Sequence, residues 1–403
     1  MLRTAIARYA SFFRLPDVAR LLAMAVLARM PLGTVTLAML LYVRSLTGSF
    51  ADAGVAVGAY LGASAVTAPF LGRFIDRRGA RLALLVTGIG CPAALLVLWL
   101  APWLALPAST LPVVAAIAGA FAPPITVLTR TMWRYRFDDD AARRTAFALD
   151  AVLVEFAFTA GPALIALLLA IGNTSVAFGA AFVFSALAVP TFVASPALRY
   201  LSHDPHAKRH LLGPLTERRL LVVYATTFLL TVSLGLLEIG YPGFAAQGHP
   251  PPLAGLLIAI SSIGSATGGL LYGGLHVGSP PQRQLRLLLG VLVLPLAAHA
   301  LIASPVALAI VAFVAGLCIA PSLAAVTLLI STYAPTRYAT EAFTWSATCI
   351  VSGIGAGNAF GGLLLERHGS AVVFATSAGA ALFAAACATT LGSVRHTRRL
   401  RAG

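Results

Sequence analysis

The sequence predicts an all-α membrane protein, with twelve transmembrane helices in two pseudo-symmetric six-helix bundles (residues 1–197 and 219–403) joined by a cytoplasmic linker at 198–218. Three observations lead there. The first is composition: the 403 residues are 59% hydrophobic and 10% charged, with a mean hydropathy of +0.90. A soluble chain cannot hide that much apolar surface, whereas a polytopic membrane protein presents it to lipid. The second is length. The apolar stretches follow one another, each long enough to cross about 30 Å of hydrocarbon at about 1.5 Å per residue. The third is charge. With the N-terminus in the cytoplasm, all of the 28 Lys and Arg residues except Arg29, Arg44 and Arg367 fall in segments on that side, as the positive-inside bias requires. The net charge of +15 is therefore a topology signal. It has a secondary role against anionic lipid heads and is not a nucleic-acid footprint.

Taken in order, span 1 (residues 20–43) is too long for a signal-peptide core and is expected to be retained. It carries Arg29 just before Pro31, where a kink is expected. Span 2 (52–72) carries Gly54, Gly58 and Gly62 at four-residue spacing, and a short basic loop leads to span 3 (82–101). Span 4 (108–129) holds Ala118-Gly119 and Pro124. The 130–144 segment is read as a loop in which Asp138-Asp139-Asp140 balances nearby arginines and can pair with the 73–81 loop. Span 5 (145–170) contains Asp150, Glu155 and Gly161-Pro162. Span 6 (174–195) ends at the longest polar break, where His203, His206 and His210 lie beside Lys208 and Arg209. That cluster reads as a solvated basic face and not as a metal site.

Span 7 (219–243) places Glu238 near Tyr241 and Pro242, span 8 covers 253–275, and span 9 (285–304) contains His299, read as a packing residue. Span 10 (306–330) repeats the elements of span 4, with Ala315-Gly316 and Pro321 at an offset of 197. Span 11 (340–364) repeats Ala146-Phe147 and Gly161 of span 5 as Ala342-Phe343 and Gly357, at an offset of 196, and span 12 covers 371–392. Such repetition marks parallel halves. Gly353, Gly357 and Gly361 give span 11 a bare face at the depth of the glycine ladder in span 2. Small residues let membrane helices approach closely, so the two ladders are expected to pack together. Cys91, Cys318, Cys349 and Cys387 each sit alone in a span, as small apolar packing without disulfide or zinc spacing.

The loop after span 2 reads Gly72-Arg73-Phe74-Ile75-Asp76-Arg77-Arg78-Gly79-Ala80-Arg81. The pattern G-x-x-x-D-R-x-G-x-R resembles the loop signature of the major facilitator superfamily, at the position between helices 2 and 3 where that family carries it. Gly72 and Gly79 are expected to let the chain turn. The resemblance implies that Asp76 meets the start of helix 11, near Thr340, and that Gly72, Asp76, Arg77, Gly79 and Arg81 form a conformational-switch loop. It also implies that helices 2 and 11 face one another and that helices 1, 4, 7 and 10 line a central site. In the second half the motif is eroded, with Gly278 and Ser279 where Asp76 and Arg77 would stand. Gly161-Pro162 resembles part of the antiporter signature of that family. The sugar-porter signature P-E-S-P-R is replaced by Ser195-Pro196-Ala197-Leu198-Arg199.

Ionisable groups inside hydrocarbon are costly and call for a reason. Glu155, near the midplane, is the first candidate for proton coupling, with Asp150 and Glu238 as the others. Arg29 is the charge partner, able to pair with either acid of span 5. The expected function is secondary active transport, the proton-coupled export of a small organic compound by a monomer of the bacterial inner membrane with both termini cytoplasmic. Its partners would be substrate, protons and lipid, with no cofactor. An importing symporter or uniporter and a non-transporting sensor are the alternatives. An intramembrane enzyme is disfavoured because H-E-x-x-H, G-x-S-x-G and G-x-G-D are all missing. The phosphate-binding pattern G-x-x-x-x-G-K-[ST] is missing too. Thr126, Thr129, Thr226, Thr227, Thr231, Ser322 and Thr327 give spans 4, 7 and 10 a mild polarity that suits many ligands.

Overall fold

A computed structural model describes residues 9–48, 50–201, 213–248, 252–275 and 278–391. Among them there is no strand, and ten helical stretches are long and apolar enough to cross a bilayer. In the first half, α1 is Val18–Thr47, α2 Phe50–Arg78, α3 Ala80–Trp99, α4 Ala108–Arg136, α5 Asp140–Ile171 and α6 Thr174–Ala194. In the second half, α7 is Arg218–Ala245, α8 Pro252–Gly274, α9 Pro281–His299 and α10 Pro305–Tyr333. The last stretch, Ala339–Thr389, is 51 residues long, about 75 Å of helix and far more than one bilayer. It bends at Gly369, whose φ of 78° and ψ of 177° are not helical, and so divides into α11 (339–368) and α12 (370–389). Helix α9 is not among the ten apolar stretches; its first turns carry Gln282, Arg283, Gln284 and Arg286. The linker residues His203, His206, Lys208, Arg209 and His210 lie outside the described residues.

Backbone breaks fall where side chains dictate them. Helix α1 is interrupted between Leu27 and Met30, with Pro31 in the first turn of the resumed helix. Helix α4 is interrupted between Ala120 and Ile125 by Pro123-Pro124. Pro162, Pro242 and Pro321 sit inside unbroken helices, which membrane helices tolerate when neighbours satisfy the freed carbonyls. The basic segment after α2 is not the turn expected. Helix α2 runs to Arg78 and only Gly79, at φ 83°, separates it from α3. Gly72 stays helical, and its missing side chain serves close approach: a Cβ there would lie 2.5 Å from Thr344 Oγ1 and 3.1 Å from Glu341 Cα.

The internal repeat has a packing equivalent in each half. A Cβ on Gly161 of α5 would lie 2.5–2.7 Å from the backbone of Gly33 in α1, while one on Gly357 of α11 would lie 3.0 Å from Gly235 Cα in α7. Gly119 likewise presses α4 on the Tyr60 backbone of α2, and Gly316 presses α10 on the Ser261 backbone of α8. The glycine ladders behave differently from expectation. Gly54, Gly58 and Gly62 have nothing within 4 Å of a built Cβ, while Gly353, Gly357 and Gly361 lie against α7. A bare helix face shows that a neighbour can approach, not which neighbour does.

Candidate functional site

The two halves meet through α2 against α11 and through α5 against α8 and α10. A set of hydrogen bonds joins the halves on the side carrying the basic loops. Asp76 Oδ1 accepts from the Thr340 backbone N–H at 3.0 Å and Oδ2 from that of Glu341 at 2.8 Å. A carboxylate is favoured there because the first N–H groups of a helix lack intrahelical acceptors and carry the positive end of its dipole. Arg73 donates from Nε at 3.1 Å and Nη2 at 2.6 Å to Glu341 Oε1, a carboxyl only 1% exposed. Arg134 donates to the Ala334 carbonyl and Tyr135 Oη to that of Thr336 at 2.9 Å. Across the second seam, Thr145 Oγ1 donates to the Gly273 carbonyl at 2.8 Å and Tyr9 Oη to that of Leu270 at 2.6 Å. The first latch is thus charged and the second neutral, in keeping with the eroded motif around Gly278. Arg77 and Arg81 are exposed and lie outside the latch.

The intramembrane ions divide into two groups. Arg29 Nη2 pairs with Asp150 Oδ1, and Arg130 Nε pairs with Asp150 Oδ2 at 3.1 Å. All three are buried, at 1%, 6% and 1% exposure for Arg29, Arg130 and Asp150. Asp150 is therefore held between two guanidinium groups. Arg130 is a residue that sequence reasoning placed in a loop; α4 in fact continues past it to Arg136. Its only signal was an arginine one turn after Thr126 on an uninterrupted helical pattern.

Glu155 is not in that cluster. It accepts from Ser265 Oγ of α8 at 3.0 Å and shares a cavity of about 90 Å³ with Glu238, Tyr241, Ser261 and Ser262. Glu238 lines this cavity with Glu155, within electrostatic reach of it and close to Asn358 of α11. The two acids come from opposite halves. Tyr241 Oη also meets His299 Nε2 at 3.3 Å, and His299 Nδ1 donates to the Pro295 carbonyl at 2.7 Å. That buried ring is thereby fixed between Tyr241 and Phe374.

A larger cavity, about 190 Å³, is lined by Arg29, Thr36, Tyr60, Ser64, Thr126 and Thr348 among mostly apolar neighbours. Its walls come from α1 to α4, α6 and α11. This differs from the expected set of α1, α4, α7 and α10. Of the polar residues expected at a central site, Thr126 lines it, whereas Thr129, Thr226, Thr227, Thr231, Ser322 and Thr327 are buried in helix packing. Asp139 caps α5 through the Ala142 N–H at 2.8 Å, and Asp140 lies 3.6 Å from Arg143. The aspartate run thus serves α5 locally instead of bridging to the 73–81 segment. The four cysteines are free, and among the described residues no group of three acids, histidines or cysteines could hold a metal.

A family model described as Major Facilitator Superfamily matches residues 21–305. Among curated proteins nothing matches. Among solved structures the chain is similar to a bacterial homologue of the iron transporter ferroportin in an outward-facing state, at 14% identity over 94% of this chain and 99% of that one, with a TM-score of 0.75. It is similar to the proton:xylose symporter XylE at 13% identity, over 93% and 96%, with a TM-score of 0.73. It is also similar to the E. coli fucose:proton symporter FucP at 10% identity, over 93% and 98%, with a TM-score of 0.74. At these identities the likeness is one of fold.

Proposed function

The chain belongs to the major facilitator superfamily, and on that premise we propose that it exports a small organic compound across the bacterial inner membrane in exchange for protons. Family and fold make it a transporter and not an enzyme. In this reading twelve helices cross the bilayer, six in residues 1–197 and six in 219–403, with both termini and the linker in the cytoplasm. The cavity of about 190 Å³ is the substrate site. The latches at the basic end close the cytoplasmic side, so the described state faces outward, and rocking of one half against the other exposes the site alternately.

The observation that carries proton coupling is the meeting of Glu155 and Glu238, from opposite halves, on one small cavity. Asp150, the competing acid, is already neutralised by Arg29 and Arg130. Two carboxyls that share a site away from cations favour holding a proton between them. A proton bound there weakens their mutual repulsion and so biases how the halves sit. Export is the favoured direction because the short loops and Gly161-Pro162 resemble efflux members of the family.

The test uses a transported compound found by screening uptake into energised vesicles. Glu155→Gln should abolish accumulation driven by a pH gradient and leave exchange between the two sides within about twofold of wild type. If the mutant still concentrates the compound against its gradient, Glu155 is not the coupling group.

A further inference from the structure

The cluster around Asp150 is not electrically balanced. It joins two guanidinium groups to one carboxylate, and the charged groups acting on Arg130 are Asp150 and Arg29. Arginine stays protonated in proteins, so the cluster carries one excess positive charge. Arg29 uses Nη2 on Asp150, while its Nε and Nη1 are buried without a hydrogen-bond partner. A buried donor without a partner costs about 1–3 kcal/mol, and more when charged. An ion pair meant only to pin α1, α4 and α5 together would be better served by one arginine, because an uncompensated buried charge is strongly unfavourable.

The excess charge sits against the larger cavity. Arg29 lines it, and so does Thr126, one turn before Arg130 on α4. The other lining groups are hydroxyls and apolar side chains, with no carboxylate among them. An anion in this cavity would be attracted through a low-dielectric wall, where unit charges interact far more strongly than in water. One negative charge balances the site; a second would reverse the imbalance. The volume of about 190 Å³ falls below the roughly 300–1,000 Å³ of sites for drug-sized ligands, which selects a small molecule.

We propose that Arg29, Asp150 and Arg130 together read the charge of the substrate, and that the substrate is a small organic monoanion, in the first place a monocarboxylate. This rests on the reading of the larger cavity as the substrate site. It is independent of the coupling role given to Glu155 and Glu238.

The test is equilibrium binding to the purified full-length protein, followed by thermal melting at constant pH and low salt. The probes are acetate, butyrate, benzoate and salicylate, each against its own primary amide, with chloride as the inorganic control. At least one carboxylate should bind ten times more tightly than its amide and than chloride. Arg130→Met leaves the neutral Arg29–Asp150 pair and should lose that preference without lowering the melting temperature of the free protein. Arg29→Met leaves the neutral Arg130–Asp150 pair, removes the guanidinium on the cavity wall and should lose the preference as well, which covers the case in which Arg130→Met does not fold. An undiminished preference in this variant would also overturn the proposal. Equal binding of acid and amide, a response to chloride alone, no carboxylate response, or an undiminished preference in Arg130→Met would each overturn the proposal. Carboxylate binding without proton-coupled flux would sink the coupling reading and leave this one standing. Proton-coupled transport of a neutral compound, with no carboxylate binding, would do the reverse.

Discussion

At the scale of single residues, the chain uses carboxyl groups in three distinct ways. Asp150 is screened by two arginines, Glu155 and Glu238 share a cavity, and Asp76 caps a helix across the seam between the halves. The last makes a clean prediction. Asp76→Asn removes the charge and leaves only one amide oxygen for the two N–H groups of Thr340 and Glu341. Loss of such a charged hydrogen bond costs about 1.5–3 kcal/mol, or roughly tenfold or more in an equilibrium. In a variant lacking native cysteines, Thr344→Cys sits beneath Gly72 at the latch. Its maleimide labelling in membranes should accelerate about tenfold when Asp76→Asn is added, and an unchanged rate would remove Asp76 from the latch. The signature loop made the partner of Asp76 legible in the sequence. Glu341, which answers Arg73, was not legible, because an acid two residues from a helix start looks like ordinary helix-dipole chemistry. Arg130 was missed for a related reason: hydropathy marks where arginines begin, whereas burial of one depends on an anion in another helix.

At the scale of helices, close packing is set by glycines that recur in both halves. Gly161→Leu would drive a side chain into the Gly33 backbone and force α1 away from α5. We expect a loss of about 1–3 kcal/mol or more, as for other overpacked contacts. Gly58→Leu, with nothing within 4 Å, should be close to neutral. Melting temperatures of the two purified variants check this, and equal values would contradict the packing role of Gly161. Most helix positions were readable from hydropathy, since a spanning segment is a long apolar run whatever its neighbours. The pairing of helices was only half readable. The repeat offset pointed to Gly161 and Gly357 as equivalents, but their partners Gly33 and Gly235 share no obvious spacing with them. The ladder in α2 meets no neighbour and that of α11 meets α7, because small-residue periodicity carries no information about what lies opposite.

For the whole molecule, the two halves are held together at the basic end, and the glycine face of α2 at the other end is unpacked. The membrane potential acts in the same direction on both proposed fluxes. An anion leaving and a proton entering each gain about 2.3 kcal/mol per 100 mV, so the proposed exchange is driven twice by one gradient. All of this depends on the halves moving as units about the cavities between them. The most direct test is a pair of distance measurements by double electron–electron resonance in nanodiscs. Spin labels at Gly58→Cys and Gly362→Cys report the open end, and labels at Arg78→Cys and Arg337→Cys report the basic end. Alternating access from an outward-facing state predicts a long distance at the open end with a short one at the basic end, and a shift of both in opposite senses when Asp76→Asn weakens the latch. Distances that stay fixed, or that lengthen together at both ends, would contradict alternating access in this chain.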